Sequence, residues 1–260
     1  MVIQTKAIQT MRIPSIVTRT SIYTTTITTI MINTGNASPS FASLRLWQLI
    51  SPALPVGAYA YSQGLEYAIE SGWVRNEAET AQWIEGLVSH ALARLDVPLL
   101  SRLYVAWQEP NMVQVEYWNS LLLASRESVE IRAEDQHLGS ALLKLLTDLE
   151  LEPCQHWQDD KPVSYATMFA LAANHWHITL QDVATGYVWS WCENQVAAAI
   201  KLMPLGQTAG QRTLSRLITI IPDAVQLGLS LGDDDIGVAS QGLGIASALH
   251  ETQYSRLFRS

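Results

Sequence analysis

Cysteine is scarce: Cys154 and Cys192 are the only two in 260 residues. Two thiols are too few for a disulfide framework and fit a reducing compartment, so a cytoplasmic location is expected. Long apolar runs are also missing. The most apolar long stretch, Val183 to Met203, is broken by Glu193, Asn194 and Lys201, which speaks against a membrane span. Lysine is rare, and none of Lys6, Lys144, Lys161 and Lys201 follows a glycine. The Gly-Lys-Ser/Thr of a phosphate-binding loop is therefore absent, and the chain is not itself a P-loop GTPase or ATPase. With a net charge of −8 and no basic stripe in the body, nucleic acid is not an expected partner. Neither His-Glu-x-x-His nor a pair of Cys-x-x-Cys motifs occurs.

Acid is absent from the start of the chain, where the first acidic residue is Glu66. Residues 1–40 are rich in Thr and Ile and hold Lys6, Arg12 and Arg19. An acid-poor, hydroxyl-rich leader of this kind fits a transit peptide, a start of translation at an internal Met such as Met31, or a disordered segment. The expectation is a disordered or spurious leader ahead of a folded region, residues 41–260.

Apolar residues make up 48% of the chain, with nine Trp against three Phe, enough for a sizeable core with aromatic contact surfaces. From Phe41 onward their spacing is helical. Asn76 with Glu79 predicts a helix start, followed by Trp83, Leu87, Val88, Ala91, Leu92 and Leu95 at three- and four-residue steps. Asp96 and Pro98 are expected to open a new helix. Further helices are expected over Met112–Ser125 after Asn111, Glu127–Leu149, Ser164–Trp176, a stretch from Thr179 and Asp182 to Met203, one ending at Ile220, one starting at Pro222, and Val238–Glu251. Strand-like alternation is absent from the body. The expected fold is an all-α, single-domain bundle of about ten helices.

Two segments stand out. Ser51 to Glu66 carries Pro52, Pro55, Gly57 and Gly64 with Tyr59 and Tyr61, a conformationally fixed turn of the kind that often carries a site. The last residues, His250 to Ser260, interleave Tyr254, Leu257 and Phe258 with Arg256 and Arg259. Aromatic and Arg side chains are favoured interface anchors, so the tail is expected to dock on a partner, or else to fold back on its own domain. Ala60-Tyr61-Ser62-Gln63-Gly64 also resembles a degenerate nucleophile elbow. A Ser hydrolase would use Ser62 with His250 as base and one of Asp233–Asp235 as orienter. That motif needs a strand before the Ser, which this pattern does not offer. Cys154-Gln155-His156, and His175 with His177, are weak metal candidates. Arg126, Glu127, Glu130 and Arg132 are expected to form ion pairs on an exposed helix face.

Taken together, the chain resembles the urease accessory protein F family. The Leu54–Glu66 loop is similar to that family's L-P-x-G-x-x-x-Y-S-x-G-L-E motif. Arg126-Glu127 with Arg132-Ala133-Glu134-Asp135 resembles its central R-E…R-A-E-D segment. Pro204 to Arg212 resembles P-L-G-Q-T-A-G-Q, and the tail from His250 to Ser260 resembles the family's terminal motif. Ala248-Leu249 depart from it, standing where Met-Arg is common.

The resemblance implies a non-enzymatic, homodimeric helical chaperone without a cofactor. It would bind the D-type (H-type) and GTPase G-type accessory proteins, control GTP hydrolysis and support nickel delivery to apo-urease. By position, Tyr254, Arg256, Leu257, Phe258 and Arg259 are expected to contact the D-type protein. Gly57, Tyr59, Ser62, Gly64, Glu66, Lys201 and Gln207 are expected on the dimer or GTPase-facing surface.

Overall fold

The computed structural model describes residues 40–109, 111–157, 161–237 and 240–260. Apart from Ser40, the expected leader lies outside the described residues. In chain order the α-helices are α1 (Phe41–Leu49), α2 (Leu65–Glu70), α3 (Glu77–Leu87), α4 (Val97–Gln108), α5 (Met112–Ala124), α6 (Val129–Asp148), α7 (Tyr165–His175), α8 (Leu180–Leu202), α9 (Gln207–Ile218), α10 (Ile221–Ser230) and α11 (Gln241–His250). No strand occurs among the described residues, so the chain is all-α, as its apolar spacing predicts.

Local chemistry sets most helix starts. The side chains of Asn76, Asn111, Ser164 and Thr179 each accept the backbone N–H three residues further on, which satisfies one of the orphan donors of a first turn. Ser128 does the same for Ile131, so α6 starts at Val129 rather than at Glu127. Ser240 precedes α11, and the expected start of that helix at Val238 lies outside the described residues.

The helix expected to open at Asp96 and Pro98 does begin there, as α4, but no break precedes it. The chain runs from α3 through a π-helical stretch, Val88–Asp96, directly into α4. Pro98 has no N–H to give to the preceding turn. The Arg94 carbonyl is satisfied instead by the Gly237 N–H at 2.9 Å. Asp96 caps nothing; its carboxylate is buried in an ion cluster.

The centre is α7. Ala166 through Ala173 are all buried, with Phe169 and Met168 fully enclosed, and a helix apolar on every side belongs in a core. It packs against α4 and α6. The longest helix, α8, borders a second apolar cluster formed with α3, α9 and α10, and a third that includes Leu65, Ala198, Met203 and Phe258. That third cluster brings the chain's tail against α2 and α8.

Candidate functional site

The turn before α2 is built from backbone that glycine permits. Gly57 (φ +83°) precedes a 3₁₀ turn over Ala58–Ala60, and Gln63 (φ +52°) leads into Gly64 (φ +75°). A side chain at Gly64 would be strained by that φ and would stand 3.0 Å from Ala246 Cβ and Ser247 N. The turn can therefore lie directly on α11. Trp191 Nε1 donates to Gln63 Oε1 at 2.8 Å, and Asn194 Nδ2 donates to the Tyr61 carbonyl at 3.2 Å, which ties the turn to α8.

The tail runs beside this turn. Arg259 N–H donates to the Ala60 carbonyl at 2.9 Å. Ser62 donates to the Ser260 main-chain oxygen through its N–H at 2.8 Å and its hydroxyl at 2.6 Å. Three carboxylates then grip the tail. Glu66 accepts the N–H groups of Leu257 at 2.6 Å and Phe258 at 2.9 Å. Glu130 accepts from Arg256 and lies 2.9 Å from His250 Nδ1. Glu134 accepts from the Ser260 hydroxyl at 2.6 Å and from Gln63 Nε2 at 2.8 Å. His250 Nε2 faces Glu66 at 3.1 Å. Burial pushes the Glu134 carboxyl up to about 7, against the lowering effect of its bonds to Ser260 and Gln63.

Behind the turn lies a cavity of about 340 Å³, lined by Leu54, Tyr165, Tyr187 and Trp191 together with the charged groups of Asp96, Arg126, Glu134 and Asp135. Arg126 donates through Nη2 to Asp96 at 2.7 Å and through Nε to Asp135 at 2.8 Å. Tyr187 OH donates to Asp96 at 3.2 Å. Burial works against the guanidinium charge, but Asp135 and Asp96 overcome it and push the pKa up. This corrects the expectation of surface pairs around Ser128. Arg126 is buried between two aspartates, Glu130 serves the tail, and Arg132 donates to the Leu123 carbonyl. A step of four residues puts Glu130 and Glu134 on one side of α6; that spacing was the signal that the two act together.

The expected partner residues divide by exposure. Tyr254 is fully exposed and Leu257 is 65% exposed, whereas Ser62, Gly64, Glu66 and Phe258 are buried and hold the tail in place. Arg256 and Arg259 are exposed residues. Gly57 is half-buried. Tyr59 is exposed, and the Lys201 ammonium sits 5.8 Å from its ring and 5.6 Å from that of Phe258, a cation–π arrangement joining α8, the turn and the tail. Gln207 is exposed at the start of α9 and makes no hydrogen bond to turn or tail among the described residues. The tail therefore both folds back on its own domain and presents apolar groups outward.

The Ser62 hydrolase arrangement does not form. The Ser62 hydroxyl is buried on Ser260 and both ring nitrogens of His250 face glutamates, so the base has no path to the nucleophile. Burial pushes the thiol of Cys154, one of the metal candidates, up to about 11, and that of the core residue Cys192 to about 12. Both stay protonated near neutral pH. No α-helix among the described residues is long and apolar enough to cross a membrane.

The UreF family model matches residues 74–218. The urease accessory protein UreF of Alkalilimnicola ehrlichii is 53% identical over 223 residues, covering 86% of this chain and 98% of that protein. That of Hahella chejuensis is 46% identical over 85% of this chain and 100% of its own length, and that of Marinobacter nauticus 48% identical over 84% and 94%. Extended matches at this identity, over nearly whole relatives, place the chain in the UreF family of urease accessory proteins.

Proposed function

We propose that the protein is a non-catalytic scaffold of urease maturation. It joins the D-type (H-type) accessory protein to the GTPase accessory protein G and couples GTP hydrolysis to nickel insertion into apo-urease. The observation that carries this reading is the tail, whose backbone is clamped to the body while Tyr254 and Leu257 face outward. A docking segment already held in shape loses less conformational entropy on binding than a free one. Tyr254 and Leu257 are the anchors for the D-type protein, and Arg256 and Arg259 supply the polar rim. Tyr59 and Lys201, with Gln207 beyond them, form the surface for the GTPase.

Self-association is assigned to α1, where Phe41, Leu44 and Trp47 recur at three-residue steps and are all exposed. Apolar side chains displayed together on one helix mark an interaction face. The cytoplasm is the compartment proposed for this assembly.

Co-purification with the D-type and G-type accessory proteins tests the reading. The full chain retains both partners, and loss of residues 251–260 abolishes the complex. Tyr254→Ala combined with Leu257→Ala weakens it without lowering the melting temperature. Equal retention by the truncated and intact chains would overturn the assignment of the tail.

A further inference from the structure

His250 sits between two carboxylates that belong to different helices. Its Nδ1 is 2.9 Å from Glu130 Oε2 on α6, and its Nε2 is 3.1 Å from Glu66 Oε2 on α2. The imidazole is fully buried, and neither carboxylate is more than 16% exposed. Carboxylates only accept hydrogen bonds, and a neutral imidazole has a single N–H. Both contacts are therefore hydrogen bonds only when the ring carries two protons. A neutral ring would turn a lone pair toward one buried carboxylate oxygen, leaving an unsatisfied and repulsive contact.

The same carboxylates hold the tail, Glu66 through the N–H groups of Leu257 and Phe258 and Glu130 through Arg256. We propose that this clamp is a proton-dependent latch: His250 carrying both ring protons fastens the tail between α2 and α6, and loss of one proton releases residues 251–260.

The charges around the latch support this. Glu66 faces His250 from α2, Glu130 faces it from α6, and Arg256 joins from the tail, bonding both Glu130 and the His250 carbonyl. With His250 charged, two anions meet two cations. With His250 neutral, an anion is left over in a dry site. One turn along α6, Glu134 holds Ser260 and has Asp135 and Arg126 as its charged neighbours. Its own ionisation adds a further buried anion as pH rises, so it works in the same direction. The latch follows from the fold of this chain alone and does not depend on which partner meets the tail.

Hydrogen exchange at the Leu257 and Phe258 amides of the full chain reads the latch. Protection, corrected for the intrinsic pH dependence of exchange, is followed from about pH 5 to about pH 9, a window wide enough to discharge a histidine. In the wild type it falls about tenfold or more, the loss expected for a charge-assisted hydrogen bond. Glu130→Gln is the decisive variant. Its amide oxygen still accepts from Arg256, and its NH₂ donates to a neutral His250 Nδ1, so the tail stays protected at high pH. His250→Gln lowers protection at every pH and flattens the profile. Constant protection in the wild type overturns the latch. So does a Glu130→Gln profile that falls like the wild type, and so does a fall that only Glu134→Gln removes.

Discussion

Ser62 grips Ser260 twice, with its N–H at 2.8 Å and its hydroxyl at 2.6 Å donating to the same main-chain oxygen. This pair fastens the end of the tail to the turn ahead of α2. Ser62→Ala removes the hydroxyl bond to Ser260 and the longer one that Ser62 Oγ accepts from the Glu66 N–H at 3.3 Å, and leaves the Ser62 N–H bond, a loss of about 1–2 kcal/mol. The effect is expected mainly in local opening of the tail. Amide protection at residues 257–260 falls several-fold on that estimate, while the melting temperature of the helical body hardly moves. An equal loss of tail protection and global stability would show that tail and body unfold as one unit.

Gly64 is the point where the turn presses on α11. Its φ of +75° disfavours any side chain, and an added Cβ would meet Ala246 and Ser247 at 3.0 Å. Strain and overpacking act together here, so Gly64→Ala is expected to destabilise the protein by about 1–3 kcal/mol. Gly57→Ala is the control, because its φ is +83° but nothing lies within 4 Å of the added Cβ. It carries the backbone strain without the clash, and thermal melting should rank it between the wild type and Gly64→Ala.

How much of this was legible in the sequence depended on whether its cause was local. Asn76, Asn111 and Thr179 cap helices with their own side chains, and caps of this kind can be read from a few adjacent residues. The continuous passage from α3 to α4 was not legible. It depends on Gly237 arriving from far along the chain to satisfy the Arg94 carbonyl, so Asp96 and Pro98 mark the start of α4 without interrupting the helical course of the chain. The tail and the turn were both recognisable as unusual, but nothing local says that one lies on the other. Arg126 and Glu130 have the spacing of solvated surface pairs, and their true partners come from the π-helical stretch, from further along α6, from α11 and from the tail. The roles of Ser62 and Glu66 were missed for the same reason. Residues of those types in a turn suggest a surface site, whereas here they are buried and hold backbone.

Arg126 is the electrostatic centre of the cavity wall. Its side chain is 11% exposed, and those of Asp96 and Asp135 are 6% and 5% exposed. Arg126→Ala leaves two buried carboxylates without their cation, which is expected to lower stability by about 3–5 kcal/mol. Restoring neutrality tests the cause. Arg126→Met combined with Asp96→Asn and Asp135→Asn should recover much of that loss in urea denaturation, because the cost arises from uncompensated charge. If the triple variant is no more stable than Arg126→Ala, the cluster matters through its hydrogen-bond geometry instead.

Glu134 makes stability depend on pH in a definite direction. Burial raises its carboxyl from the ordinary 4.5 to about 7 in the folded protein. A group whose folded value lies above its unfolded value binds protons more tightly in the folded state. Its contribution is therefore fully present below about pH 4.5 and is lost as pH rises through about 7, by about 3 kcal/mol at most. Glu134→Gln keeps the side-chain shape, with an amide oxygen to accept from Gln63, but cannot ionise. Urea denaturation of both proteins across this pH window isolates the group, since every other titrating residue is shared. The variant is expected to lose the most stability relative to wild type at the acid end and to gain on it steadily toward pH 8. Parallel curves would mean that Glu134 titrates alike in the folded and unfolded chains, and that the bonds from Ser260 and Gln63 fully offset its burial.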